Sequence, residues 1–154
     1  MQNSGTPQTM APTRPDIERV IRVFETLTPA SVGELRTIYA SDAHFADPFH
    51  SVQGIAAIER VFADMFTTLQ RPRFVVTGSV LQDAQCVLLW DFHFRFRGFR
   101  TQLDQTVPGS SHLRFDTQGR ITHHQDYWDA AHGLYQKMPV IGALMRWLRR
   151  RVAG

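Results

Sequence analysis

The chain has 154 residues, 43% of them hydrophobic, enough for one compact domain with a single core and too few for a second. Its formal charge of +3 is uneven: Lys137, Arg146, Arg149, Arg150 and Arg151 lie in the acid-free stretch after Ala130, leaving 12 basic against 14 acidic residues elsewhere and no broad basic face of the kind nucleic acid requires. Cys86 is the single cysteine, which excludes an intramolecular disulfide and a cysteine-based zinc site, and no uncharged apolar run approaches the ~18 residues of a membrane span.

Residues 1–14 are polar, rich in Pro, Ser and Thr, and lack the apolar core of a secretory signal, so they read as a disordered lead-in to a cytoplasmic protein. From Pro15 the pattern is helical: Ile17, Val20, Ile21, Val23, Phe24 and Leu27 recur on one side, with Pro15 and Asp16 as the start signal. After Thr28 and Pro29, the residues Val32, Leu35, Ile38 and Tyr39 predict a second, shorter helix. The stretch "SDAHFADPFHSVQG" cannot be helical across Pro48 and reads as a loop, and Gly54 opens a third helix carrying Ile55, Ile58, Val61, Phe62, Met65 and Phe66.

Beyond Pro72 the period changes. "RFVVTGSVLQ", "CVLLWDFHFRFR", "TQLDQTVPGSSHLRF" and "RITHHQDYW" are rich in β-branched and aromatic residues and are separated by turn signals, which predicts four successive antiparallel strands. Helices first and a meander afterwards describe an α+β domain over residues 15–138, with three helices laid on one face of a curved antiparallel sheet. Residues 139–154 follow as a basic amphipathic helix, with Val140, Ile141, Leu144, Met145, Leu148 and Val152 on one side and Arg146, Arg149 and Arg150 opposite. Such a helix covers the domain or a partner subunit, or attaches residues 140–152 reversibly to an anionic membrane surface.

Alternation along strands sorts the polar groups. Trp90, Phe92, Phe94 and Phe96 share one face, and Leu89, Asp91, His93 and Arg95 the other; the aromatic face belongs inside, because burying Asp91, His93 and Arg95 together would cost several kcal/mol unless all were paired. In "ITHHQDYWDA", His124, Asp126 and Trp128 lie on one side and His123, Gln125 and Tyr127 on the other. If the Asp126 side is concave, Asp47 and Asp126 point into a cavity walled by Trp90, Phe92, Phe94 and Trp128. Desolvation and mutual repulsion there would raise one carboxyl toward the range useful for general acid–base chemistry, with His124 tuning Asp126.

Plainer roles compete. Asp47 before Pro48 suits an Asx turn, Asp126 suits a pair with an arginine or with His124, and Asp129 suits a helix cap. Adjacent His123 and His124 face opposite ways and cannot jointly grip a metal, so no metal is expected, and Cys86 between apolar neighbours reads as a small buried residue.

The order of elements and two motifs, "SDAHFADPFHSVQGIAAIERVF" and "GRITHHQDYWD", resemble the nuclear transport factor 2-like superfamily in its SnoaL-like form, the fold also used by ketosteroid isomerase and limonene epoxide hydrolase. The resemblance spans about residues 16–135 and implies a cone-shaped, cystatin-like fold, a homodimer through the sheet and no cofactor. It places Asp47 at the isomerase's catalytic base and Asp126 at the hydrolase's water-activating acid. Phe45 falls where the hydrolase has a tyrosine, and a phenyl ring donates no hydrogen bond. Val23 and Ser111 stand at the isomerase's enolate-donor positions, and Leu89 at the hydrolase's arginine, so neither active site is complete; the hydrolase comparison would also turn Asp91 inward, against the aromatic-face reading.

The combined expectation is a binder of a lipophilic small molecule, its pocket formed by Phe45, Trp90, Phe92, Phe94, Ser111, His124 and Trp128. As an enzyme it would be a cofactor-independent isomerase or hydrolase working through Asp47 and Asp126. The alternative is a non-catalytic ligand-binding or scaffold protein that docks through its basic C-terminal helix.

Overall fold

A computed structural model of the chain describes residues 15–98 and 102–130. The lead-in 1–14 and the C-terminal helix expected over 139–154 lie outside the described residues. Helix α1 (Ile17–Glu25) starts where Asp16 accepts the Arg19 N–H at 3.0 Å, carries Glu18 in its first turn and Arg22 in its last, and buries Val20, Val23 and Phe24. Its last residue also reaches the sheet: Glu25 Oε1 accepts the Val76 N–H at 2.8 Å.

The second helix is shorter and tighter than its spacing predicts. Val32–Thr37 is a 3-10 turn, with Glu34 N–H bonded to Ser31 O at 2.9 Å and Ile38 N–H to Leu35 O at 3.1 Å. Tyr39, expected as its last apolar position, instead opens strand β1 (Tyr39–Ala46), and Ser51–Gln53 forms strand β2. The stretch read as a loop is therefore a hairpin. Its strand character is hidden because the pairing register shifts between Tyr39 and His44, so Ser41 and Asp42 are both exposed and clean alternation is lost. Gly54, at φ 89°, turns the chain into helix α2 (Ile55–Thr68), a left-handed conformation that a side chain would strain.

Four strands follow: β3 (Leu69–Gln82), β4 (Gln85–Phe96), β5 (Gln105–Phe115) and β6 (Ile121–Trp128). Pro72 sits within β3 at an irregularity between Gln70 and Arg73, tolerable because β3 is an edge strand. The sheet has six strands in the order β2-β1-β6-β5-β4-β3, and β1 runs parallel to β6. The α+β class thus holds, but the sheet is mixed rather than wholly antiparallel.

The main core lies between the helices and one sheet face, where Phe24, Leu35, Ile58, Leu88, Leu113 and Ile121 meet; Phe94, Phe96 and Val107 form a smaller cluster toward one end. The opposite face keeps Val80 (64%), Leu89 (48%) and Tyr127 (58%) exposed. No helix among the described residues is long and apolar enough to cross a membrane.

Candidate functional site

Strand pairing brings together residues far apart in the chain. Ser111 on β5 is the register partner of Asp126 on β6 and of Leu88 on β4, while Phe45 on β1 faces His124 on β6. Because alternation sends Trp90, Ser111, His124 and Asp126 to the inner face, their polar atoms meet beneath the helices.

The result is a buried hydrogen-bonded chain. Trp90 Nε1–H donates to Ser111 Oγ at 2.9 Å, and Ser111 Oγ–H donates to Asp126 Oδ1 at 2.5 Å. The same Oδ1 lies 2.6 Å from His124 Nε2, and His124 Nδ1 is hydrogen-bonded to the Tyr39 hydroxyl. His124 is 3% exposed, and its ring meets Phe45 edge-on at 4.8 Å and Phe24 at 5.6 Å. Burial, and secondarily the Asp126 charge, push the Tyr39 phenol well above its ordinary pKa, so Tyr39 keeps its proton. The Asp126 side chain is 11% exposed, and among the described residues nothing bonds its Oδ2.

Asp126 stands between two spaces. Inward is a cavity of about 20 Å³, walled by Phe24, Phe62, Phe74, Val76, Leu88 and Trp90, with Ser111, His124 and Asp126 as its polar side; it has room for a single water. Outward is a solvent-open cleft of about 610 Å³ lined by Asp47, Pro48, Gln125, Asp126, Tyr127, Trp128 and Asp129. Ligand-sized space is therefore at the mouth, while aromatic side chains fill the interior.

Asp47 and Asp126 do line the same cleft, but Asp47 is also built into its turn. Its Oδ1 accepts the backbone N–H groups of Phe49 at 2.7 Å and His50 at 2.6 Å, and both carboxylate oxygens lie 2.9 Å from His50 Nδ1. Trp128 lines the cleft and packs on Phe49 at 5.3 Å. Trp90, Ser111 and His124 border the inner cavity as the face pattern requires.

Phe45, Phe92 and Phe94 stand elsewhere. Phe45 is buried against Phe62 and His124, behind the cavity wall, while Phe92 and Phe94 stack on each other at 5.2 Å, and Phe94 belongs to the smaller cluster. None of the three lines either space. Leu89 points outward, with Asp91, His93 and Arg95 on the same side, where Arg95 pairs with Asp104 at 2.6 Å, so the aromatic-face reading holds. Burial raises the Cys86 thiol, as suits a core residue, and His123 points away from His124, toward His44.

Tyr39, Phe24, Phe62 and Phe74 are site residues that sequence reasoning missed. Helical spacing marks Phe24 and Phe62 as buried without saying what they cover, and the reading of Tyr39 as helical concealed its place beside β6.

A SnoaL-like domain model matches residues 20–124. No curated protein matches the chain. Among similar solved structures is a hypothetical protein with a ketosteroid isomerase-like fold from Catenulispora acidiphila DSM 44928 in complex with trimethylamine, at 20% identity and TM-score 0.67, covering 81% of this chain and 94% of that one. Another, a SnoaL-like polyketide cyclase from Jannaschia sp. CCS1, has 16% identity and TM-score 0.66, with coverage of 83% and 94%. A third, TerC co-crystallized with polyporic acid, has 15% identity and TM-score 0.68, with coverage of 80% and 98%. At such identities these neighbours attest the cone fold, and the domain match over most of the chain carries the assignment: the protein belongs to the SnoaL-like family.

Proposed function

We propose that the protein binds a small, largely apolar molecule at the cleft and acts on it by cofactor-independent proton transfer or water addition, with Asp126 as the reacting carboxylate. The observation that carries this reading is the asymmetry of Asp126, a residue that lines the cleft: one oxygen is held by Ser111 and His124, and among the described residues nothing bonds the other. Trp128 and Pro48 offer apolar contact, while Asp47, held by its turn, places a second carboxylate on the rim. The small molecules in two similar structures, trimethylamine and polyporic acid, support ligand binding as a use of this fold. A cytoplasmic homodimer pairing through the outer sheet face, where Val80, Leu89 and Tyr127 are exposed, completes the proposal.

Turnover on a panel of enolisable ketones and epoxides tests it. Asp126→Asn is expected to lower kcat by about 10²–10⁴-fold, the usual contribution of a general acid–base group. Full activity in that variant would refute the assignment.

A second reading, a non-catalytic binder or scaffold, is favoured by the 20 Å³ interior, far below the ~300–1,000 Å³ of ordinary ligand pockets. Its docking element would be residues 140–152, which lie outside the described residues. Liposome sedimentation with and without residues 140–154 tests this: loss of binding on truncation supports it, and unchanged binding removes it.

A further inference from the structure

The inner network has donors at both ends. The Trp90 indole can only donate, so Ser111 Oγ accepts from it and directs its single proton to Asp126 Oδ1. At the other end, the Tyr39 hydroxyl has one acceptor among the described residues, His124 Nδ1. Were Nδ1 protonated, it would donate to the phenol oxygen and strand the phenol proton in a site only 1% exposed. A bare Nδ1 puts the imidazole proton on Nε2, which lies 2.6 Å from Asp126 Oδ1. Both branches therefore converge on one oxygen, an arrangement that favours the ionised carboxylate.

We propose that Tyr39 is a positioning residue that, through His124, fixes the neutral Nε2–H tautomer and so holds Asp126 as a carboxylate with Oδ2 as its proton-accepting oxygen. The catalytic use of Oδ2 rests on the function proposed above; the tautomer does not. In that use Oδ2 takes the proton from a substrate O–H or C–H, the bonding pair stays on the substrate, and Oδ1 keeps its two hydrogen bonds. Asp126 then begins the cycle as a base, and its role as an acid is confined to returning that proton. Tyr39 and Asp126 are the titratable groups touching the His124 ring among the described residues; Ser111 Oγ lies 3.2 Å from Nε2, and Phe24 and Phe45 pack on the ring.

Long-range ¹H–¹⁵N correlation spectra of the uniformly labelled full chain read the tautomer without any substrate, and His124→Gln identifies the resonances among those of the seven histidines. The expected wild-type result is a protonated Nε2 and a bare Nδ1. In Tyr39→Phe the bare Nδ1 loses its donor, so a mixture of tautomers, with the proton partly on Nδ1, is expected. A wild-type ring protonated on Nδ1, or a Tyr39→Phe ring identical to wild type, overturns the proposal. The wild-type measurement decides the tautomer even if Tyr39→Phe does not fold. Full turnover by Asp126→Asn, with the tautomer as expected, would refute the catalytic reading and leave the network intact.

Discussion

Gly109 on β5 lies directly across from Trp90 on β4, and the indole covers the space where a side chain would stand. A Cβ on Gly109 would fall 2.3 Å from Trp90 Cη2, 2.6 Å from Cζ3 and 2.7 Å from Cζ2, whereas carbon atoms in contact prefer about 3.5–4.0 Å. Gly109→Ala therefore forces a rigid ring or a central strand to move by an ångström or more. Overpacking of this kind costs about 1–3 kcal/mol. The displaced indole also gives up its 2.9 Å bond to Ser111, and leaving that buried N–H unpaired adds about 1–3 kcal/mol. The expected loss is thus about 2–6 kcal/mol, a large part of the ~5–15 kcal/mol that stabilises an ordinary domain. Urea denaturation followed by far-ultraviolet circular dichroism measures it. A double-mutant cycle with Trp90→Leu supplies the control: with the indole gone, adding the methyl should cost far less than in wild type, giving a coupling that approaches the whole loss of about 2–6 kcal/mol. A Gly109→Ala loss below about 0.5 kcal/mol, or simple additivity in the cycle, would show that the strand absorbs the methyl and that Trp90 is not wedged on the glycine.

Alkaline stability should report Tyr39. Its folded pKa is raised by burial, so above about pH 10 the unfolded chain releases a phenol proton that the folded chain retains; stability attributable to Tyr39 is complete below that pH and falls by about 1.4 kcal/mol per pH unit above it. The Cys86 thiol, raised for the same reason, contributes its own slope in wild type and variant alike, so the wild-type minus Tyr39→Phe difference isolates the phenol, and equal slopes would contradict its burial as a neutral donor. Asp47→Ala should cost about 1–3 kcal/mol in urea melts because two backbone N–H groups and His50 lose their acceptor, whereas Asp47→Asn keeps an acceptor oxygen and should cost less than about 1 kcal/mol; equal losses would mean that the turn is not what Asp47 holds. If the proposed homodimer forms through the exposed outer face, Leu89→Arg should leave the melting temperature nearly unchanged while reducing the sedimenting mass from two chains to one; a two-chain mass retained in the variant, or a one-chain mass in wild type, would refute that contact.

Much of the fold was legible from local pattern. The apolar spacing in α1 and α2 and the two-residue period of β4 and β5 survive into the structure because each of those elements buries one face and leaves the other toward solvent. Alternation also placed Trp90 on the inward face of β4, with Leu89 and Asp91 outward, and grouped Asp126 with His124 opposite Tyr127 on β6 without saying which side is concave. Pattern failed at β1, where a register shift erases the period and the adjoining 3-10 turn continues its apolar run, so a strand looked like the end of a helix followed by a loop. The aromatic pocket was only half legible for a related reason. One face of β4 supplies both the cavity wall at Trp90 and the separate cluster at Phe94 and Phe96, and alternation cannot tell where along a strand the cavity ends.

By itself the sequence determined which residues share a face of the regular elements, the α+β order of those elements and, through that order and the motifs around Asp47 and Asp126, the family. Only the tertiary structure decided what Asp126 meets. Tyr39 reaches His124 across 85 positions because β1 pairs in parallel with β6, and Ser111 reaches Asp126 because β5 pairs with β6 in one particular register. Periodicity records whether a side chain is buried, since that depends on its own strand or helix; which partner it finds there depends on the order and register of strands, which non-local packing sets.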